Sequence, residues 1–238
     1  GVSEDVDVDL TSLSVEPAYV FASGGYVGAY YRTNDLDVGV APLPASFGID
    51  TESMGLFAGY RSGQLRAEGW FGVSDTDPSL PDDVDVTDYG IAGSYEIDTA
   101  FEAFGSIVRT DIDAAGTDLS LTAYSIGGDY DFGNGFAAYG SVGMLDIDLG
   151  PAGDFDATGM TLGGSYEFDA NGTPLVLSAE YSYTGTDLDG LAPSDPHINQ
   201  FAVGLTIPLG GSSEPLNSNT RTARGDYRSA ISALAQSF

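Results

Sequence analysis

Four times along the chain, two alternating runs of about ten residues face each other across a short polar turn, a period of the kind that marks an array of one supersecondary unit. The clearest copy runs from Asp88 to Asp113, as DYGIAGSYEI, DTA and FEAFGSIVRTDID. MGLFAGY–RSGQ–LRAEGWFGVSDTD precedes it; AYSIGGDYDF–GNG–FAAYGSVGMLDID and GMTLGGSYEF–DANGTP–LVLSAEYSYTGTDLD follow. Tyr60, Tyr95, Tyr130 and Tyr166 mark the turn side of each copy. Strict alternation means strands with two different faces, and Gly, Asn and Asp in the short connections supply tight hairpin turns.

The alternation predicts about ten strands, at 25–32, 54–61, 65–73, 88–97, 101–111, 119–132, 136–147, 157–168, 175–185 and 198–209, with twelve allowed. Short connections alternate with long ones such as DLDVGVAPLPASFGIDTES, the arrangement of an up-and-down membrane barrel. The faces agree. Tyr89, Ile91, Gly93, Tyr95 and Ile97 oppose Asp88, Gly90, Ala92, Ser94 and Glu96, and Met160, Leu162, Tyr166 and Phe168 oppose Thr161, Gly163, Ser165 and Glu167. A soluble barrel would turn its large apolar face inward. Here the second face is small and polar, which suits a narrow lumen while the apolar face meets lipid. Aromatic residues cluster at both strand ends. Tyr60, Tyr95, Phe101, Tyr130, Phe132, Phe136, Tyr166 and Phe168 form the expected turn-side girdle, and Tyr31, Phe71, Tyr89, Tyr124, Tyr183 and Phe201 the opposite one. The reading is an all-β, transmembrane, antiparallel up-and-down barrel over 25–209, an acidic N-terminal segment at 1–24, and a linker and tail at 210–238.

Charge narrows the partners. The net charge is −29, with seven basic residues, all Arg, against 36 acids. That field repels nucleic acid. With no cysteine there is no disulfide framework or thiolate metal site. No basic, apolar leader precedes Gly1, so the numbering is expected to be that of a mature exported protein.

Three sets of residues are candidates for function. Arg61, Arg66, Glu68, Glu96, Glu102, Glu167 and Glu180 point inward by register, and buried charges must be paired or solvated. They form either a network that closes the lumen or a watery channel whose acid excess favours cations. Asp-x-Asp pairs stand where strands leave the belt: Asp35/Asp37, Asp75/Asp77, Asp111/Asp113, Asp146/Asp148 and Asp187/Asp189. Alternate residues share a face, and paired carboxylates suit weak calcium or magnesium binding. A partial calcium-loop match at Asp5, Asp7, Asp9 and Glu16 fails because Leu10 replaces the turn glycine. Lastly, Tyr227, Ala230, Ile231, Leu234 and Phe238 share one face of a short helix that Asp226 could cap, able to enter the lumen or dock elsewhere. The one histidine, His197, lies near Asp189 and Asp195, and no Gly-x-Ser-x-Gly elbow is present; no enzymatic activity is expected.

The units GIAGSYEI–DTA–FEAFGSIV and LGGSYEF resemble the strand–turn–strand units of bacterial outer-membrane porins, especially the acidic alphaproteobacterial kind, over residues 25–209. The resemblance implies the bacterial outer membrane as location, membrane lipid and lipopolysaccharide as surroundings and passive passage as function; cations as solutes rest on the inward acid excess, and a homo-oligomer is one open arrangement. Members of that family are commonly larger, trimeric barrels that finish on their last strand, whereas this chain continues beyond it. The competing reading is a structural or surface-interaction barrel with a closed lumen and divalent-cation-binding acidic loops.

Overall fold

The computed structural model describes residues 6–40, 46–77, 84–114, 117–150, 153–187, 197–208 and 220–235. The strands are β1 (Val6–Val15), β2 (Ala18–Val20), β3 (Gly25–Val40), β4 (Ser46–Ser62), β5 (Leu65–Asp77), β6 (Val84–Glu96), β7 (Phe101–Ala114), β8 (Thr117–Gly133), β9 (Phe136–Asp148), β10 (Asp154–Ala170), β11 (Thr173–Asp187) and β12 (His197–Thr206). Two short helices follow, α1 (Arg221–Arg224) and α2 (Ala230–Ala235). The twelve strands make one sheet, each paired antiparallel with its neighbour in the order β1-β3-β4 onward to β12, while β2 also pairs β3. β1 and β12 end this path and are not paired with each other among the described residues.

Strand ladders reach further than the alternation alone suggested. The N-terminal segment, where Val6, Val8 and Leu10 alternate with aspartates as in a strand, contributes β1 and β2, interrupted at Glu16–Pro17, where proline has no N–H to give to a ladder. Much of what reads as long connection is also paired: β3 continues to Val40 and β4 begins at Ser46, with Asp35 opposite Asp50. Antiparallel pairing has no reason to stop at the membrane surface while side chains still alternate. The tight turns behave as their composition requires. Asn134–Gly135 and Asn171–Gly172 take positive φ at both residues, the backbone that closes a two-residue hairpin without splaying its strands.

The two faces of the sheet separate by chemistry. Leu56, Phe71, Ile91, Ile126, Leu162, Val203 and Leu205 are each exposed on the outer face. The run from Tyr124 to Phe132 has the length of a tilted membrane strand, about 9–11 residues. At its turn end Tyr60, Tyr95, Tyr130, Phe132, Phe136 and Tyr166 are exposed, while Phe101 and Phe168 are half-buried. Neighbouring rings pack, with Tyr130 and Phe132 centroids 4.9 Å apart and Phe136 and Tyr166 4.4 Å apart. Inside, Tyr30, Phe57, Trp70, Phe104 and Tyr139 are buried. Several lie flat over a glycine of an adjoining strand: a β-carbon on Gly90 would strike the Trp70 ring, and one on Gly127 the Phe104 ring. Large rings over small residues let a narrow lumen pack.

Lipid contact on the outer face predicts a depth-dependent penalty for charge. Ile126→Arg, near the middle of the apolar belt, is expected to cost about 2–4 kcal/mol, and Asp146→Arg, beyond it, about 0–1 kcal/mol. Urea unfolding titrations in lipid vesicles measure both; equal costs would contradict this orientation.

Candidate functional site: a lumen occupied by the C-terminal segment

Arginine is scarce in this chain, and three of the seven stand close together at Arg221, Arg224 and Arg228. These residues lie inside the sheet. Thr220, Ala223, Tyr227, Arg228, Ser229, Ala230 and Ser232 are all buried, and the segment bonds to strands from β3 to β8. The Ser106 hydroxyl donates to the Thr222 carbonyl at 2.6 Å, the Trp70 indole N–H to the Arg228 carbonyl at 2.8 Å, and Asn34 Nδ2 to Ser232 Oγ at 3.0 Å. Partners on so many strands require the sheet to wrap around the segment.

The segment is not the single amphipathic helix that its spacing suggests. Gly225 ends α1 in the left-handed region at φ 79°, and α2 starts only at Ala230. A β-carbon on Gly225 would collide with Ala92 of β6, so the break also brings backbone onto the wall. Asp226 does not cap a helix; its carboxylate accepts from Arg221 Nε at 2.8 Å. Tyr227 and Ala230 are buried as their face predicts, whereas the side chain of Leu234 and the whole of Phe238 lie outside the described residues.

Two guanidinium seats hold the segment. Arg228 donates to Glu68 Oε1 at 2.6 Å and to Glu16 Oε2 at 2.8 Å. Its guanidinium carbon stands 4.4 Å from the Phe57 ring centre, 5.2 Å from Tyr30 and 5.3 Å from Trp70. Rings attract a cation through their faces, and more strongly where water is excluded. Arg224 forms the second seat, bonding Glu102 at 3.2 Å and also Asp129, with its guanidinium carbon 4.0 Å above Phe104. Glu16, at the β1–β2 break, is shared: it also meets Arg32 at 3.5 Å. Below α2, Asp88 is fully buried and accepts from Ser74 and Thr110, and Thr110 Oγ1 in turn accepts the Ala230 N–H at 2.9 Å.

Of the inward set read from the sequence, Arg61, Arg66, Glu68, Glu96 and Glu102 line one polar cavity of about 240 Å³ at the turn end, beside Arg224. Arg66 lies 3.8 Å from Glu68. Glu167 is exposed on a different part of the wall, beside Gly135, and Glu180 is buried near Tyr227. Register put Asp88 and Asp129 on the inward face without singling them out, and the candidate set omitted Glu16, Arg32, Arg224 and Arg228. The acid excess of the inward set was the available signal: it called for cations from elsewhere, and the tail carries them.

The Asp pairs occupy the opposite end. Asp35, Asp75, Asp113, Asp146 and Asp148 are exposed beyond the apolar belt. The side chains of Asp37, Asp77 and Asp187, and all of Asp189, lie outside the described residues, as does Asp195. Register sets acids against acids, Asp146 opposite Asp156, Asp148 opposite Asp154 and Asp113 opposite Asp85. Asp111 is already engaged, accepting from Arg109 at 2.8 Å and from the Tyr89 hydroxyl at 2.8 Å. Among the described residues no three acids or histidines gather as a metal-holding group. His197 stacks on Tyr183, ring centres 6.0 Å apart.

A strand-only span with an apolar outer belt and a polar, charged interior defines a bacterial outer-membrane β-barrel of the porin class. The sequence profile of Gram-negative porins matches residues 3–150, and the chain belongs to that family. No curated sequence matches it. Among solved structures, a loop-L8 deletion mutant of OmpT, an outer membrane protein of Vibrio cholerae, aligns with a TM-score of 0.52 at 14% identity, covering 85% of this chain and 98% of that one. A trimer form of in-vitro folded OmpT from the same organism gives 0.51 at 13% identity, with 85% and 98% covered. An anion-selective porin from Comamonas acidovorans gives 0.49 at 11%, with 74% and 79% covered.

The crowded rim generates a pH prediction. The charge of Asp148 across the turn, with its side-chain hydrogen bond and the charges of Asp146 and Asp156, holds the Asp154 carboxyl above its ordinary range. A carboxyl raised in the folded state is penalised while charged, so the penalty is present at neutral pH and is relieved as pH falls through the raised value. Wild type should therefore gain stability relative to Asp154→Asn on acidification through the carboxylate range. Unfolding midpoints of the two proteins compared across that range check it; a constant difference would contradict the repulsion.

Proposed function

We propose that this outer-membrane barrel is a passive channel for small solutes with a preference for cations, and that residues 220–235 are its plug. The observation that carries the reading is the pairing of the tail's Arg224 and Arg228 with wall carboxylates Glu102, Asp129, Glu16 and Glu68. With the segment withdrawn, those four carboxylates and Glu96 face water with Arg32, Arg61 and Arg66 as wall cations among the described residues. An acid-lined, narrow passage concentrates cations and excludes anions. Passage rather than catalysis is the proposed activity, and lipid and lipopolysaccharide the surroundings of the belt. A homo-oligomer belongs to the same proposal, supported by the trimer form recorded for the Vibrio protein.

A second reading has an observation in its favour: the tail fills the lumen through well-packed contacts, as a permanently closed structural barrel would require. Its acidic far end would then serve as the working surface, holding calcium or magnesium weakly between strand-end aspartates.

Planar-bilayer recordings separate the two. A variant lacking residues 217–238 is expected to conduct in steps severalfold larger than the full chain, with a reversal potential on the cation-selective side in a salt gradient. Silence from both proteins would favour the closed barrel, and anion selectivity would contradict the proposed preference.

A further inference from the structure

We propose that the Arg228 seat is a binding site for diffusible guanidinium solutes, and that the tail is its tethered competitor. The inference deepens the channel reading by naming a solute class, and it rests on the segment being displaceable.

Among the described residues, the groups that hold the Arg228 guanidinium belong to the barrel. Glu68 and Trp70 come from β5, Phe57 from β4, Tyr30 from β3 and Glu16 from the β1–β2 break. Two carboxylates and three ring faces around one cation make a receptor for a weakly hydrated, planar cation, which guanidinium is and a hydrated metal ion is not. The rings are held from behind. Phe57 lies over Gly28, Tyr30 over Gly55 and Gly72, and Trp70 over Gly90, each too close for a β-carbon. Rings locked this way keep their positions without a ligand, and such preorganisation lowers the cost of binding one.

The resident ligand fits imperfectly. Among the described residues, buried Arg228 Nε has no hydrogen-bond partner, and the same holds for Tyr30 Oη and for Arg32 Nη1 next to the seat. Arg228 is also tied through its own carbonyl to Trp70. A free guanidinium can turn to satisfy more of its donors than a backbone-bound one can. The turn-end cavity, where Glu68, Glu96, Glu102 and Asp226 stand among Arg61, Arg66 and Arg224, offers a polar route. Tethering gives Arg228 an effective concentration in the millimolar range, so a diffusible rival acts on wild type only near that level.

Trp70 is the chain's single tryptophan, and its indole touches both the seat and its occupant, so its fluorescence reports on this site alone. Agmatine is titrated at constant ionic strength into detergent-folded full-length wild type, Arg228→Ala and Arg228→Ala/Glu68→Gln. Arg228→Ala should give a saturable change at about tenfold lower agmatine than wild type, and adding Glu68→Gln should abolish it; sodium chloride and glucose should have no effect. A response that follows ionic strength, or one that Glu68→Gln leaves intact, overturns the proposal. If Arg228→Ala does not fold, Arg228→Met keeps an apolar stem in the seat and takes its place. Comparing wild type with Glu68→Gln tests the same dependence with the tail unaltered. Binding in silent barrels would defeat only the channel reading; cation-selective conductance without agmatine binding would defeat only this one.

Discussion

Hydrocarbon offers no partner to a backbone N–H or carbonyl, and the rest of this structure follows from that constraint. A chain with short alternating runs can meet it only by pairing strands side by side, and strand pairing leaves two faces with opposite duties. The outer face must be apolar over the belt, and Leu56, Ile91, Ile126 and Leu162 make it so. The inner face is then narrow, and only small or well-fitted residues are allowed there. Glycine under Trp70 and under Phe104 is the local solution.

A narrow interior makes its charges expensive. Glu68 and Asp88 are nearly or wholly buried, and each needs partners. Asp88 obtains them from hydroxyls of β5 and β7. Glu68 obtains them largely from Arg228 of the tail, more than 150 residues away in sequence. Removing one member of a buried pair leaves the other uncompensated, at about 3–5 kcal/mol. Tail and wall thus stabilise each other, and in the proposed channel opening would require water to replace the tail's guanidinium groups.

The sequence made some of this readable and hid the rest for physical reasons. Period-two alternation located the strands because it reflects burial on one side, and Asn-Gly pairs located turns because few residues tolerate positive φ. Glu68 and Glu102 were placed inward by register alone. Glu16 was not, because Pro17 interrupts β1 and β2 and breaks the alternation from which inwardness is read. Arg224 and Arg228 were hidden because their partners are set by the wrapping of the whole sheet; helical spacing points to a face and is silent about what that face meets. Even that face is divided, since Gly225 turns the segment before Tyr227.

The central claim is that residues 220–235 are seated in the lumen of the folded barrel. Cysteine substitution is clean in a chain with no cysteine of its own. The pair Asn34→Cys/Ser232→Cys replaces side chains that meet at 3.0 Å, with Leu56→Cys/Ser232→Cys as the outward-facing control. Oxidation of the folded full-length protein should cross-link the first pair nearly completely and leave the control uncross-linked, read as a mobility shift on a denaturing gel. Failure of the first pair to cross-link, with its Ser232→Cys thiol open to a water-soluble maleimide, would place the tail outside and contradict the account.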